Sequence, residues 1–264
     1  MMAGFRRSPT VLMAAFSNNS HGSQLLHELL PGTWNANFER FQTTLVDANV
    51  GRIGFLRHGQ TAKSQGVDFD RILTDHGRDQ ASAAGSSFGR ELKPFYRSVF
   101  CSPAPRTVET ANIFLNSANE TRELVTPQTF YDGTMQPKGS QLFKMIGYAP
   151  LDEYLNHPDG QCRSDAQNVL GAYSHSVIDT IFNEVQQHNR DGFDDSVMPE
   201  STSTLWMVGH AIYLPAAALG VASLIGCADC SVFLSCNTKE AEGYLIDLET
   251  SSTTYLARPE SANH

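Results

Sequence analysis

Ile53-Gly54-Phe55-Leu56-Arg57-His58-Gly59-Gln60-Thr61 is the stretch that decides how this chain is read. Its first half is a short apolar run, of the kind buried on both faces in a parallel sheet. Its second half sets an arginine, a histidine and a glycine where that strand would end. A second such run, Leu205 to Val208, is followed by Gly209-His210, and a third, Ser98 to Cys101, by Ser102-Pro103 and then Arg106. Ligands of open α/β sheets bind beyond the carboxyl ends of the strands, so the three fragments are expected to meet in one crevice. A lone histidine after a strand is usually a hydrogen-bonded structural residue. Three fragments of this form, in this order, weigh against that reading.

Working outward, Thr74 to Leu92 reads as a helix, with Thr74 as its cap and Asp75 in its first turn. A helix is expected from about Thr107 to Asn116, and an extended segment from Val125 to Tyr131 as a third strand closed by Asp132-Gly133. Ser164 to Asn189 is the longest helical signal, its stripe formed by Ala166, Val169, Leu170, Tyr173, Val177, Ile181 and Val185. Ile212 to Ile225 follows as a buried helix, and Gly243 to Leu248 with Thr253 to Ala257 form a closing hairpin. Asp191 to Ser203 is acidic and reads as a loop or disordered insert. Alternating strands and helices imply an α/β fold: a three-layer sandwich, its central sheet mostly parallel, with helices on both faces.

Residues 1–49 stand apart as a leader and helical extension, with helical pieces at Gln24 to Leu30 and Trp34 to Val46 divided by Pro31-Gly32. Residues 50–264 are read as one domain. Arg6, Arg7 and several serines, with no acidic residue before Glu28, fit an organelle transit peptide for a mitochondrion or plastid. They fit an unstructured leader equally.

The 264 residues are 41% hydrophobic and 18% charged, as in ordinary globular chains with a sizeable core. A net charge of -9 argues against a nucleic-acid partner held by a basic surface, yet leaves room for an anionic substrate in a local cationic pocket. No apolar stretch reaches the roughly twenty residues needed to cross a bilayer, so no membrane partner is expected. Five cysteines are an odd number for a disulfide framework. Cys227-x-x-Cys230 and Cys236 resemble part of a zinc site but lack a fourth ligand, and they read as reduced thiols suited to the cytoplasm. No metal and no cofactor are expected.

The residue types suit covalent phosphoryl chemistry. A neutral imidazole on His58 can attack phosphorus in line with the leaving oxygen and hold the group covalently. Arg57 and Arg106 offer planar forks that match two phosphoryl oxygens each. Gln60 and Thr61 can donate to the same oxygens, and His210 can donate from the side opposite His58. Gly59 lets the backbone come close to the ring and the anion.

Leu56-Arg57-His58-Gly59-Gln60-Thr61, the helix start Leu73-Thr74-Asp75-His76-Gly77-Arg78-Asp79-Gln80-Ala81, Ser102-Pro103 through Arg106 to Thr110-Ala111, and Val208-Gly209-His210 together resemble the histidine phosphatase superfamily. The superfamily includes cofactor-dependent phosphoglycerate mutases, and the resemblance runs from about residue 50 to 258. It implies a phosphohistidine on His58 within a pocket completed by Arg57, Arg106 and His210. It also implies a small phosphorylated substrate, a phosphoprotein being open as well. Ala62-Lys63-Ser64-Gln65-Gly66 lacks the Trp and Asn of the mutase branch, and no Trp lies between Trp34 and Trp206, so a phosphatase is favoured over a mutase. A catalytically weak phosphate-binding or scaffold member is the other alternative. Protonating an alkoxide leaving group needs a carboxylic acid, for which Asp132 and Glu123 are the options. Glu109, one turn after Arg106, is expected to orient that guanidinium. Phe143, Tyr148 and Tyr154 are read as pocket or core aromatics.

Overall fold

A computed structural model of the protein describes residues 38–63, 67–132, 137–190 and 202–258. The expected helix at 24–30 and all but the final residues of the 191–203 segment lie outside them. The described strands, in chain order, are β1 (Val50–Arg57), β2 (Phe95–Cys101), β3 (Glu123–Val125), β4 (Ser203–Gly209), β5 (Gly243–Asp247) and β6 (Ser252–Leu256). They form one sheet in the order β3-β2-β4-β1-β5-β6. The pairs β2–β3, β2–β4 and β1–β4 are parallel, whereas β1–β5 and the hairpin β5–β6 are antiparallel. The sheet is therefore mostly parallel, as the alternation of elements implied.

Successive side chains of β4 divide between two cores. Leu205 and Met207 enter one with α1 (Phe38–Asp47), α7 (Gly160–Arg190) and α8 (Tyr213–Ile225). Trp206 and Val208 enter the other, with α2 (Asp75–Ala84) and α3 (Pro105–Ser117). This period-two division of a wholly buried strand makes three layers. Trp206 packs edge-on against Phe114 at 4.7 Å and lies over Gly54, its register partner on β1. A Cβ at Gly54 would stand 2.5 Å from the indole, so the glycine makes room for the largest side chain in the core.

The helix ends follow local chemistry. Thr74 Oγ1 accepts the Gly77 amide at 3.0 Å, the cap read from the sequence. Pro105 opens α3, where its missing N–H has no partner to lose. Gly226 ends α8 in the left-handed region, φ 79°.

Two expectations need correcting. The Thr74–Leu92 helix is interrupted: α2 passes into a π-helical turn, Gly85–Gly89, where Gly85 sits so close to α3 that a Cβ would meet the Phe114 carbonyl at 2.3 Å. The extended segment 125–131 is absent. β3 ends at Val125, and Thr129–Asp132 is a short helix, α4. Pro127 has no N–H for a ladder, and its carbonyl instead accepts the Phe130 amide at 3.0 Å, starting the turn. Asp132 therefore ends a helix rather than an Asp-Gly turn after a strand. Two helices fill the interval before α7: α5 (Pro137–Ile146) and α6 (Leu151–Leu155). Between α8 and β5 lies α9 (Ser231–Ser235). Burial pushes the Cys227 and Cys230 thiols up to about 12 and about 11, which keeps them protonated.

Candidate active site

The register of β1 on β4 sets Arg57 beside Gly209, and the His58 amide donates to the Gly209 carbonyl at 3.1 Å. Beyond the other edge of β4, the Ser102 amide donates to Val208 at 3.2 Å. Three strand ends thus sit side by side, and the residues that follow them are neighbours despite their separation in sequence. The His58 and His210 ring centroids are 5.4 Å apart, and both residues are 7% exposed.

His58 Nδ1 lies 2.7 Å from the Gly59 carbonyl, which can only accept. Nδ1 therefore carries the proton of the neutral ring, and the lone pair stands on Nε2. Burial lowers the His58 pKa well below its ordinary 6.5, and His210, Arg57 and Arg106 press it the same way. His210 is fixed from two sides. Its Nε2 is 2.8 Å from Ser102 Oγ and its Nδ1 is 3.4 Å from Arg106 Nη2. An arginine only donates, so Nδ1 accepts and Nε2–H faces the serine. Its pKa is likewise lowered well below 6.5, first by burial and then by Arg106, Arg57 and Arg71.

Both guanidiniums are buried and held in the same manner. Arg57 donates from Nη1 to the Thr238 carbonyl at 2.6 Å and from Nη2 to Glu240 Oε1 at 3.1 Å. Arg106 donates from Nη1 to the Asp68 carbonyl at 2.6 Å and from Nη2 to Asp68 Oδ2 at 2.7 Å. Among the described residues, Nε of each is buried without a hydrogen-bond partner. An unsatisfied buried donor is costly, and two of them beside an uncharged histidine pair form a place for an anion. The Tyr148 ring lies 5.1 Å from the Arg57 guanidinium carbon and is exposed. A cleft beside it is lined by Tyr148, Ala149, Ala211, Ile212, Asn237 and Thr238, continuous in sequence with His210 and in space with Arg57.

The structure thus brings Arg57, His58, Arg106 and His210 together. Gln60 and Thr61 lie on the adjoining loop but have other partners: the Gln60 side-chain oxygen accepts from Thr74 at 3.0 Å, and Thr61 Oγ1 accepts from Arg71. Asp132 is the last residue of α4, and Tyr131 before it stacks edge-on toward His210 at 6.0 Å. Glu123, the alternative acid, begins β3 and pairs with Ser98, which lies within β2, short of the strand end that leads to Ser102. Glu109 does not orient Arg106; it pairs with Arg78 at 2.7 Å. Tyr154 is a wholly buried core residue whose hydroxyl donates to Gly147, and Phe143 packs on Tyr148 at 4.8 Å. Gly59 serves the helix packed against it: its Cβ would meet the Gly77 carbonyl at 2.3 Å.

Asp68, Arg71, Thr238 and Glu240 are the site residues that pattern reading passed over. Only the opposite charges of Asp68 and Arg71 at a three-residue spacing gave a signal.

The family model described as "Histidine phosphatase superfamily (branch 1)" matches residues 53–128, which bear Arg57, His58 and Arg106. The resemblance read from the motifs is borne out over that segment, which matches the model of this superfamily. Among solved structures, the chain is similar to phosphoserine phosphatase from Entamoeba histolytica in complex with 3-phosphoglyceric acid (15% identity, 80% of this chain and 98% of that one, TM-score 0.48). It is similar to phosphoglycerate mutase from Bacillus anthracis (16%, 80% and 93%, TM-score 0.49). It is also similar to a mycobacterial glucosyl-3-phosphoglycerate phosphatase (17%, 80% and 100%, TM-score 0.49). At these identities and scores the likeness assigns no substrate. No curated protein matches by sequence. Among the described residues, no helix is long and apolar enough to cross a membrane.

Proposed function

We propose that the protein is a phosphatase that hydrolyses a small phosphorylated substrate through a phosphohistidine on His58, without a metal. The observation that carries this reading is the His58 ring. Its proton is pinned on Nδ1 by the Gly59 carbonyl, and near the ring are two guanidiniums whose Nε–H groups, among the described residues, lack partners.

In the first step Nε2 forms a bond to phosphorus while the bond to the leaving oxygen breaks. The leaving oxygen takes a proton from a carboxylic acid, a role assigned to Asp132 through its place after Tyr131. In the second step water attacks the phosphohistidine, the carboxylate takes the water proton, and the P–N bond breaks. Phosphate leaves and the neutral ring returns. Arg57 and Arg106 hold the equatorial oxygens, where most of the barrier lowering in phosphoryl transfer arises. His210 acquires a proton as the dianion enters, and its Nδ1–H then donates to a phosphoryl oxygen.

Release of phosphate from a chromogenic aryl phosphate in EDTA tests the proposal. Release should vanish in His58→Ala; release that survives this change rules the mechanism out. A mutase would instead need a phosphorylated primer and return no free phosphate. A screen over sugar phosphates, phosphoglycerates, nucleotides and phosphoamino acids then reads the substrate class.

A further inference from the structure

We infer that Asp68 and Glu240 are positioning residues that grip the two guanidiniums end-on, so that each turns its Nε edge to the phosphoryl group. The inference rests on the phosphate-binding reading above. A guanidinium has five N–H donors in one plane. One carbonyl and one carboxylate oxygen take a hydrogen from each terminal nitrogen, which uses the far end of the fork. Arg57 is held so by Thr238 and Glu240, and Arg106 by the carbonyl and the carboxylate of Asp68. The edge that remains is Nε–H with one hydrogen of a terminal nitrogen, itself a bidentate match for two oxygens of a tetrahedral anion. Among the described residues, Nε is a buried donor without a partner in both, and in Arg106 the terminal nitrogen of the same fork lies 3.4 Å from His210 Nδ1. The same construction at two positions, from unrelated segments, separates it from a chance ion pair.

Asp68 is itself fixed. Arg71 grips its other oxygen at 3.2 Å and reaches on to Thr61 Oγ1 and the Ala62 carbonyl at 3.3 Å. Burial would raise the Asp68 carboxyl, but Arg106 and Arg71 outweigh it and hold it below its ordinary value. The loop after His58 and the Arg106 side chain are thereby joined through one carboxylate. A carboxylate so placed can do one of two opposite things: orient the arginine, or occupy it in competition with substrate. The Nε–H of each guanidinium, unpartnered among the described residues, decides for orientation, because competition would consume that donor.

The test uses the full chain, with inorganic phosphate as the probe in calorimetry and as a product inhibitor of aryl phosphate hydrolysis. Asp68→Ala and Glu240→Ala should each weaken phosphate binding on the order of tenfold and lower kcat/KM with it, since one charge-assisted bond is lost. Asp68→Asn keeps an oxygen that accepts from Nη2 and should restore most of the loss; a merely structural role would not separate Asn from Ala. Circular dichroism confirms that each variant is folded, and Glu240→Ala carries the test if Asp68→Ala is not. Phosphate bound more tightly by the alanine variants, or equally well, overturns the inference. The two failures are separable: wild type that binds phosphate while both alanine variants bind it alike refutes the brace alone, whereas wild type that binds none refutes the underlying reading.

Discussion

At the scale of single residues, the chemistry turns on which histidine nitrogen is free and on its basicity. His58 is held neutral by burial and by the surrounding positive charge. The acid limb of kcat/KM in the free enzyme should therefore fall below pH 6.5, because the attacking form persists until the depressed pKa is crossed. A pH–rate profile with its acid limb at or above 6.5 would contradict this. For Asp132, Asp132→Asn should slow alkyl phosphates more than aryl phosphates, by 10- to 100-fold at the order-of-magnitude level, since phenolates leave with little protonation. Equal slowing of both substrates moves the acid elsewhere. The four central residues were legible because each belongs to a short motif at the end of a strand. Asp68 and Glu240 were not, because a carboxylate in a charged loop looks like any solvated side chain until its partner is placed.

Elements were legible where one physical signal dominated. The Thr74 cap and the stripe of α7 each name a boundary or a face by themselves. The run from Val125 to Tyr131 failed because aromatic and branched residues favour strands only if a ladder is available. Pro127 closes the ladder, and Phe130 and Tyr131 bury their rings from a helical turn instead. Between elements, the tightest fit is backbone on backbone. Gly59 stands under the Gly77 carbonyl, and a Cβ at Gly77 would be 2.1 Å from the Gln60 carbonyl. Neither neighbour is a flexible side chain that can move aside. Gly77→Ala is thus expected to cost about 1–3 kcal/mol of stability and to lower kcat at least about tenfold by shifting the histidine loop. Urea melts paired with kinetics check this; unchanged values in both mean that the loop yields freely.

For the whole molecule, the sheet is a common wall between two cores, and the reactive groups sit where that wall ends. Both buried histidines are neutral in the fold and ordinary in the unfolded chain. The unfolded state therefore binds more protons as pH drops below about 6.5, and stability should fall over that window. The depressed carboxyl of Asp68 acts in the same direction at lower pH. Phosphate at about a hundred times its dissociation constant should add about 2.7 kcal/mol, seen as a raised Tm. His58→Ala should flatten part of the acid loss, and a wild-type midpoint constant from pH 7.5 to 5.5 would speak against the linkage. The layered plan was readable from alternation alone. The antiparallel entry of β5 beside β1 was not, since sequence order does not say which edge a hairpin joins.

The segment between α9 and β5 carries one more consequence. Its carbonyls and amides clasp the end of β1 at Arg57: Glu242 accepts from Arg57, Ala241 donates back to Arg57, and Thr238 takes the guanidinium. Lengthening this strap by even one residue would slide those contacts out of phase. The hairpin bend near Thr250, whose bonds are with its own neighbours, would absorb the same insertion. An engineer seeking places to splice in a tag or epitope would find tolerance at one bend of the chain and none at the other.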